Sequence, residues 1–181
     1  QSGDPGQDYL VFREDGSRLA FVLCDGVSQS FFGDLAASFL GNQMLEWLWN
    51  NQAFAAEKVQ AQLQAHLNSL VLSATQVVAS QPLPSEIPDL LRSVLEEKRV
   101  QGSETMLTGG LLDFTRRQAL LVSLGDMRLR IWGASRKEIT SDLGVRPDTS
   151  TRWSTLRGVI GQVNVKALSL DTISCLAAYS D

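Results

Sequence analysis

The spacing of apolar residues changes period twice along this chain, and that alternation restricts the fold more than any composition figure. Residues 8 to 13, DYLVFR, and 18 to 24, RLAFVLC, are strand-like runs. EDGS between them is a turn, so the pair reads as a hairpin. The period then lengthens. Leu35, Phe39, Leu40, Met44, Trp47 and Leu48 mark one helix, and Val59, Leu63, Leu67, Leu70, Val71, Ala74 and Val78 mark a second. The proline-rich SQPLPSEIP interrupts that run. A short helix is expected from Pro88 to about Glu97, with Asp89 suited to its positive N-terminal end.

Beyond this point the period shortens to that of a strand. TMLTGGLLDF, QALLVSLGD, MRLRIWG, VNVKALSL and TISCLAAYS are short β-type runs. TRRQ is a tight connection between two of them, and SLGDM is expected to be a hairpin between two more. After it Met127, Leu129 and Ile131 fall on one face, Arg128 and Arg130 on the other. Two strands, two or three helices and at least five further strands make an α+β pattern rather than alternating βαβ units. The 181 residues suffice for a single domain spanning 1–181.

The formal net charge of -4 argues against a chain that grips nucleic acid electrostatically. There is no apolar run long enough for a transmembrane helix, and QSGDPGQDYLVF lacks the pattern of a signal peptide. Cys24 and Cys175 each sit in an apolar run and read as buried, reduced thiols, so a cytoplasmic protein is the default.

The aspartates are more informative by position than by number. Asp8 begins the first strand, Asp25 ends the second before a glycine, Asp126 sits in the GD turn, and Asp181 ends the last strand. Asp15, Asp34 and Asp171 fit turn or cap roles, because a short carboxylate bonds to nearby backbone. Asp25 and Asp181 fit less well, since each follows a run that should be buried, where a lone carboxylate is costly. Carboxylates gathered at one end of a sheet repel one another, and a hard divalent cation relieves that; oxygen-only ligation favours Mg²⁺ or Mn²⁺ over zinc. Spacing alone leaves a shared metal site and scattered strand ends equally open. The single histidine, His66, lies beside Leu63, Leu67 and Leu70 and reads as structural. No nucleophile motif, phosphate loop or zinc-type spacing is present.

Six short segments, in order, resemble the PPM family, the metal-dependent serine/threonine phosphatases of type 2C. They are Gly6-Gln7-Asp8, Cys24-Asp25-Gly26, Gly33-Asp34-Leu35-Ala36-Ala37-Ser38, Gly102-Ser103-Glu104-Thr105, Gly125-Asp126-Met127-Arg128 and Ser180-Asp181. The resemblance implies a central antiparallel β-sandwich flanked by helices, in α-β-β-α layers, with two Mn²⁺ or Mg²⁺ ions at one end and a third, weaker position. By position Asp25 would bridge two metals, Gly26 would offer its backbone carbonyl, Asp181 would bind directly, Asp8 would act through bound water and Asp126 would serve the third metal. The implied activity is hydrolysis of phosphoserine or phosphothreonine by a metal-activated water, with Asp8 and Asp25 at its centre. The implied partners are a phosphorylated protein and a cognate serine/threonine kinase in bacterial signalling.

The departures point elsewhere. Gly3 stands where the family has a phosphate-binding arginine and Gly6 where it has asparagine; the other steps read GDMR and GSET. The chain stops at Asp181, so the expectation is a fragment that lacks the last strands and a final metal ligand and is weakly active or inactive by itself. The competing expectation is a pseudophosphatase or regulatory binding module, with VSQSFFGD as a contact loop.

Overall fold

The computed structural model describes residues 6–141, 144 and 147–180. The first hairpin forms as read, from β1 (Asp8–Glu14) and β2 (Arg18–Gly26). Four helices follow: α1 (Gly33–Asn50), α2 (Ala56–Ser69), α3 (Val71–Ser80) and α4 (Asp89–Gln101). The remaining strands are β3 (Glu104–Asp113), β4 (Gln118–Leu124), β5 (Arg128–Gly133), β6 (Arg152–Ser154), β7 (Gly158–Ile160), β8 (Asn164–Ser169) and β9 (Ile173–Tyr179).

All pairings are antiparallel. The larger sheet runs β1-β2-β3-β4-β8, with β6 joined to the end of β3 and β7 to β6, and the smaller sheet is β5-β9. Period two sends alternate side chains of β2 to opposite faces. Ala20, Val22 and Cys24 enter the larger core, with Leu40, Met44 and Leu48 of α1 and Leu63 and Leu67 of α2. Phe21 enters the smaller core between the two sheets, against Leu121, Leu129 and Ile131. The result is an α+β sandwich in which α1 and α2 pack on one face of the larger sheet. The two-stranded sheet leaves Leu10 and Phe12 of β1 62% and 64% exposed.

Four expectations need correction. SLGDM is not a hairpin: β4 stays in the larger sheet while β5 pairs with β9, so Gly125 and Asp126 lie where the chain crosses between sheets. The alternation after it holds nonetheless, with Met127, Leu129 and Ile131 buried and Arg128 and Arg130 exposed. The second helix is two. The Ser69 hydroxyl donates to the His66 carbonyl at 2.7 Å, taking the acceptor that the Leu70 N–H would use, and that N–H turns to Asn68 instead. Apolar spacing runs unbroken through this joint and cannot reveal it. Cys24 and Cys175 are both free thiols, but Cys175 is exposed, because its side of β9 faces away from the sandwich.

The fourth correction is the β6–β7 hairpin, which has no apolar run to announce it. It is held by specific contacts. Trp153 is fully buried, donates its indole N–H to the Leu67 carbonyl at 3.0 Å and stacks on Phe39 at 5.9 Å between ring centroids. Glu104 at the start of β3 accepts from Arg152 Nε and Arg157 Nη2, both at 2.6 Å, so one carboxylate ties down β6 and the turn that leads to β7. Glu104→Ala should cost about 1–2 kcal/mol, since both arginines are partly exposed and rehydrate. A lowered urea midpoint at unchanged m would show it.

His66 is structural, as expected. Its ring stacks on Trp47 of α1 at 6.0 Å, and its buried Nε2 has no hydrogen-bond partner. Burial holds its pKa below the ordinary value, so the folded state disfavours the charged ring. The stability this gives is complete above the unfolded pKa of about 6.5 and is lost as pH falls through the depressed folded value. Thermal melts at about pH 7.5 and about pH 5.5 should therefore lie further apart for the native protein than for His66→Gln.

Candidate metal and phosphate centre

The register of the first hairpin sets Asp8 directly opposite Asp25. The Gly26 N–H donates to the Gln7 carbonyl at 3.1 Å, so Gln7 and Gly26 form a hydrogen-bonded pair. Asp8 and Asp25 are then the adjacent non-hydrogen-bonded pair, the type in which side chains stand closest on one face. Like charges so placed are destabilising unless something neutralises them. By strand parity Asp25 shares the face of Phe21, so both carboxylates lie on the side of the larger sheet that faces the smaller one. Asp25 is half-buried and Asp8 exposed.

The smaller sheet reaches this point through its last described residue. Ser180, just beyond β9, donates its hydroxyl to Asp8 Oδ2 at 2.8 Å. Three strand ends that are remote in sequence thus meet at Asp8, Asp25 and Ser180. Asp181 and Gly3 lie outside the described residues. Asp126 is half-buried and follows Gly125 beyond the end of β4. Gly125 packs against Met106, which is the β3 partner of Asp25. A Cβ on Gly125 would come 2.5 Å from the Met106 side chain, and its φ of 103° suits glycine. Among the described residues, no three carboxylate, imidazole or thiolate side chains come together as a metal cage. Asp8 and Asp25 are a juxtaposed pair of oxygen donors, with the backbone of Gly26 beside them, and this set suits a hard cation rather than zinc. Cys24 does not join them: burial, and then the charge of Asp25, push its thiol pKa upward, so it stays protonated.

The loop after Asp25 is built around a backbone contact. A Cβ on Gly26 would lie 2.4 Å from the carbonyl carbon of Gly33, so the two glycines close the loop by direct backbone approach. Phe31 is fully buried and Phe32 takes a left-handed φ of 40° at the head of α1. These aromatics anchor the loop, at 4.6 Å between ring centroids, in keeping with a structural role.

The GSET segment supplies hydrogen bonds around Asp25 and the following loop that sequence reasoning missed. The Thr105 hydroxyl donates to the Asp25 carbonyl at 2.7 Å, and buried Ser103 donates to the Phe32 carbonyl at 2.9 Å while accepting from the Ala36 N–H at 3.3 Å. Ser30 donates to the Val27 carbonyl and accepts from the Glu104 N–H at 3.0 Å. Each is a small hydroxyl residue at a strand or loop end, and only the GS motif hinted at them.

No protein-family model matches this sequence, and no curated protein is similar to it at a significant level. Solved structures do match. The serine/threonine phosphatase Stp1 from Staphylococcus aureus superposes with a TM-score of 0.64 at 12% identity, covering 98% of this chain and 70% of Stp1. A bacterial serine phosphatase gives 0.58 at 12% identity, covering 96% of this chain and 71% of its own. RsbX in complex with magnesium gives 0.53 at 12% identity, covering 93% and 63%. Identity this low speaks to architecture alone, and the architecture is shared over nearly the whole chain: it has the fold of the PPM-type serine/threonine phosphatases.

Proposed function

We propose that this chain carries out metal-dependent hydrolysis of phosphoserine or phosphothreonine in proteins. The observation that carries the reading is the opposition of Asp8 and Asp25 on adjacent strands, with Ser180 of the other sheet bonded to Asp8. Two carboxylates in that position favour a divalent cation between or beside them. In this reading Asp25 and the Gly26 carbonyl hold Mn²⁺ or Mg²⁺, Asp181 adds a carboxylate from the end of β9, Asp8 orients bound water, and Asp126 serves a weaker third position. Such a cation lowers the pKa of a coordinated water and neutralises phosphoryl oxygens. The chain's own share is to hold the donors still. Thr105 fixes the Asp25 carbonyl, Gly26 and Gly33 fix the turn, and Ser180 fixes the Asp8 carboxylate.

A phosphoprotein substrate, and a kinase that makes it, follow from this reading, as does a place in bacterial cytoplasmic signalling. Among the described residues no helix is long and apolar enough to cross a membrane. A second reading, a pseudophosphatase that keeps the fold as a binding module, is favoured by Gly3 and Gly6 standing where the family has arginine and asparagine.

Turnover of p-nitrophenyl phosphate with and without Mn²⁺ separates the two. Weak metal-dependent turnover, lost in Asp25→Asn, is the expected result. Mn²⁺ should also raise the melting temperature of the native protein, by about 2.7 kcal/mol of added stability at a hundredfold excess over Kd. A melting shift without turnover would establish the pseudophosphatase reading, and neither effect would overturn both metal-based roles.

Thr105→Val removes the hydroxyl that holds the Asp25 carbonyl. It should cost about 1–2 kcal/mol of stability. It should also raise the Mn²⁺ concentration for half-maximal turnover, which a metal titration of the variant would read.

A further inference from the structure

A cavity of about 270 Å³ lies between α3, α4 and the turn that joins β6 to β7. Its lining is mostly apolar: Val78 and Ala79 come from α3, Val100 from α4 and Leu156 from the turn. Val78 is buried, but Val100 is 78% and Leu156 47% exposed. α4 buries none of its residues. An apolar molecule in the cavity would cover Val100 and Leu156 together and give this helix burial that the chain itself does not supply.

The polar groups of the lining are almost all bonded within the chain. The Thr75 hydroxyl donates to the Thr155 carbonyl at 2.8 Å, and the Thr155 hydroxyl accepts from the Ser103 N–H at 2.9 Å. Arg99 is the charged side chain there. Its Nη2 donates to the Gln81 carbonyl at 2.7 Å, and its Nη1 pairs with Glu96 at 3.1 Å. Its Nε is buried and has no hydrogen-bond partner among the described residues. A buried donor left unmade destabilises, so an acceptor brought to it gains more than one brought to a hydrated group. Glu96 stands outside the lining and already balances the guanidinium charge, so the cavity calls for an acceptor rather than an anion. Apolar walls with one placed polar group are the composition of small-molecule sites.

We propose that this cavity binds a small neutral molecule, an aromatic ring or short apolar chain that carries one carbonyl oxygen. The apolar body lies against Val78, Val100 and Leu156, and the carbonyl accepts from Arg99 Nε. The site backs onto the loop that follows Asp25. The Phe31 N–H donates to the Gly102 carbonyl at 3.1 Å and the Arg99 guanidinium lies 5.1 Å over the Phe31 ring, and both Gly102 and Arg99 line the cavity. The proposal is independent of the phosphatase reading.

Acetophenone and ethylbenzene are close in shape and differ in the carbonyl oxygen, so the pair isolates the acceptor. In calorimetric titrations the native protein should bind acetophenone about tenfold more tightly than ethylbenzene. Arg99→Lys keeps the charge and puts a methylene where Nε stands, and should abolish that preference. Leu156→Glu changes an exposed turn position and should prevent binding of both probes. Saturation with acetophenone should also slow amide exchange across α4. Absence of binding, equal affinity for the two probes, a preference that survives in Arg99→Lys, or undiminished binding in Leu156→Glu would each overturn the proposal. So would tighter binding of benzoate than of acetophenone, since the site would then select an anion.

Discussion

The backbone of Gly26 rests against that of Gly33, and the site depends on this contact. Any side chain at either position would meet main-chain atoms at 2.4 to 2.7 Å, and a main chain cannot swing aside as the tip of a side chain can. The contact closes the loop between β2 and α1, so the helix begins beside the end of the strand it follows. From there α1 crosses the larger sheet and buries Leu40, Met44 and Leu48 against Ala20 and Val22. The end of β2, with Asp25 on it, is thereby held between a tight loop on one side and the GSET segment on the other.

What this scaffold holds in place is a pair of carboxylates. Asp8 and Asp25 are opposed on one face, and the hydroxyl groups around them stabilise position rather than charge. Ser180 gives Asp8 one neutral hydrogen bond, while Thr105 bonds the Asp25 backbone. Arg152 and Arg157 both pair with Glu104. The departure from G-S-T to GSET thus has a structural consequence, because Glu104 is the anchor of the β6–β7 hairpin.

Much of this was legible in the residues. Period two predicted β1, β2, β3, β4, β5, β8 and β9, and period 3.6 predicted α1, because long amphipathic elements record burial directly in their spacing. The joint at Leu70 was invisible because it arises from one serine hydroxyl competing for a backbone carbonyl. The β6–β7 hairpin was invisible because Trp153 and a buried Glu104 hold it, and neither contact has a local pattern. The exposure of Cys175 could not be read either, since an apolar run does not say whether a second layer covers both of its faces.

The sequence by itself determined the element types, the α+β order and the set of aspartates at strand ends, because those follow from local period and turn chemistry. Only the tertiary structure decided which of those ends meet. The register of one hairpin puts Asp8 opposite Asp25, the path of β9 brings Ser180 to Asp8, and the crossing after β4 sets Gly125 against Met106, the β3 partner of Asp25. The meeting of Ser180 with Asp8 joins segments 172 residues apart in the chain, and no local spacing encodes it.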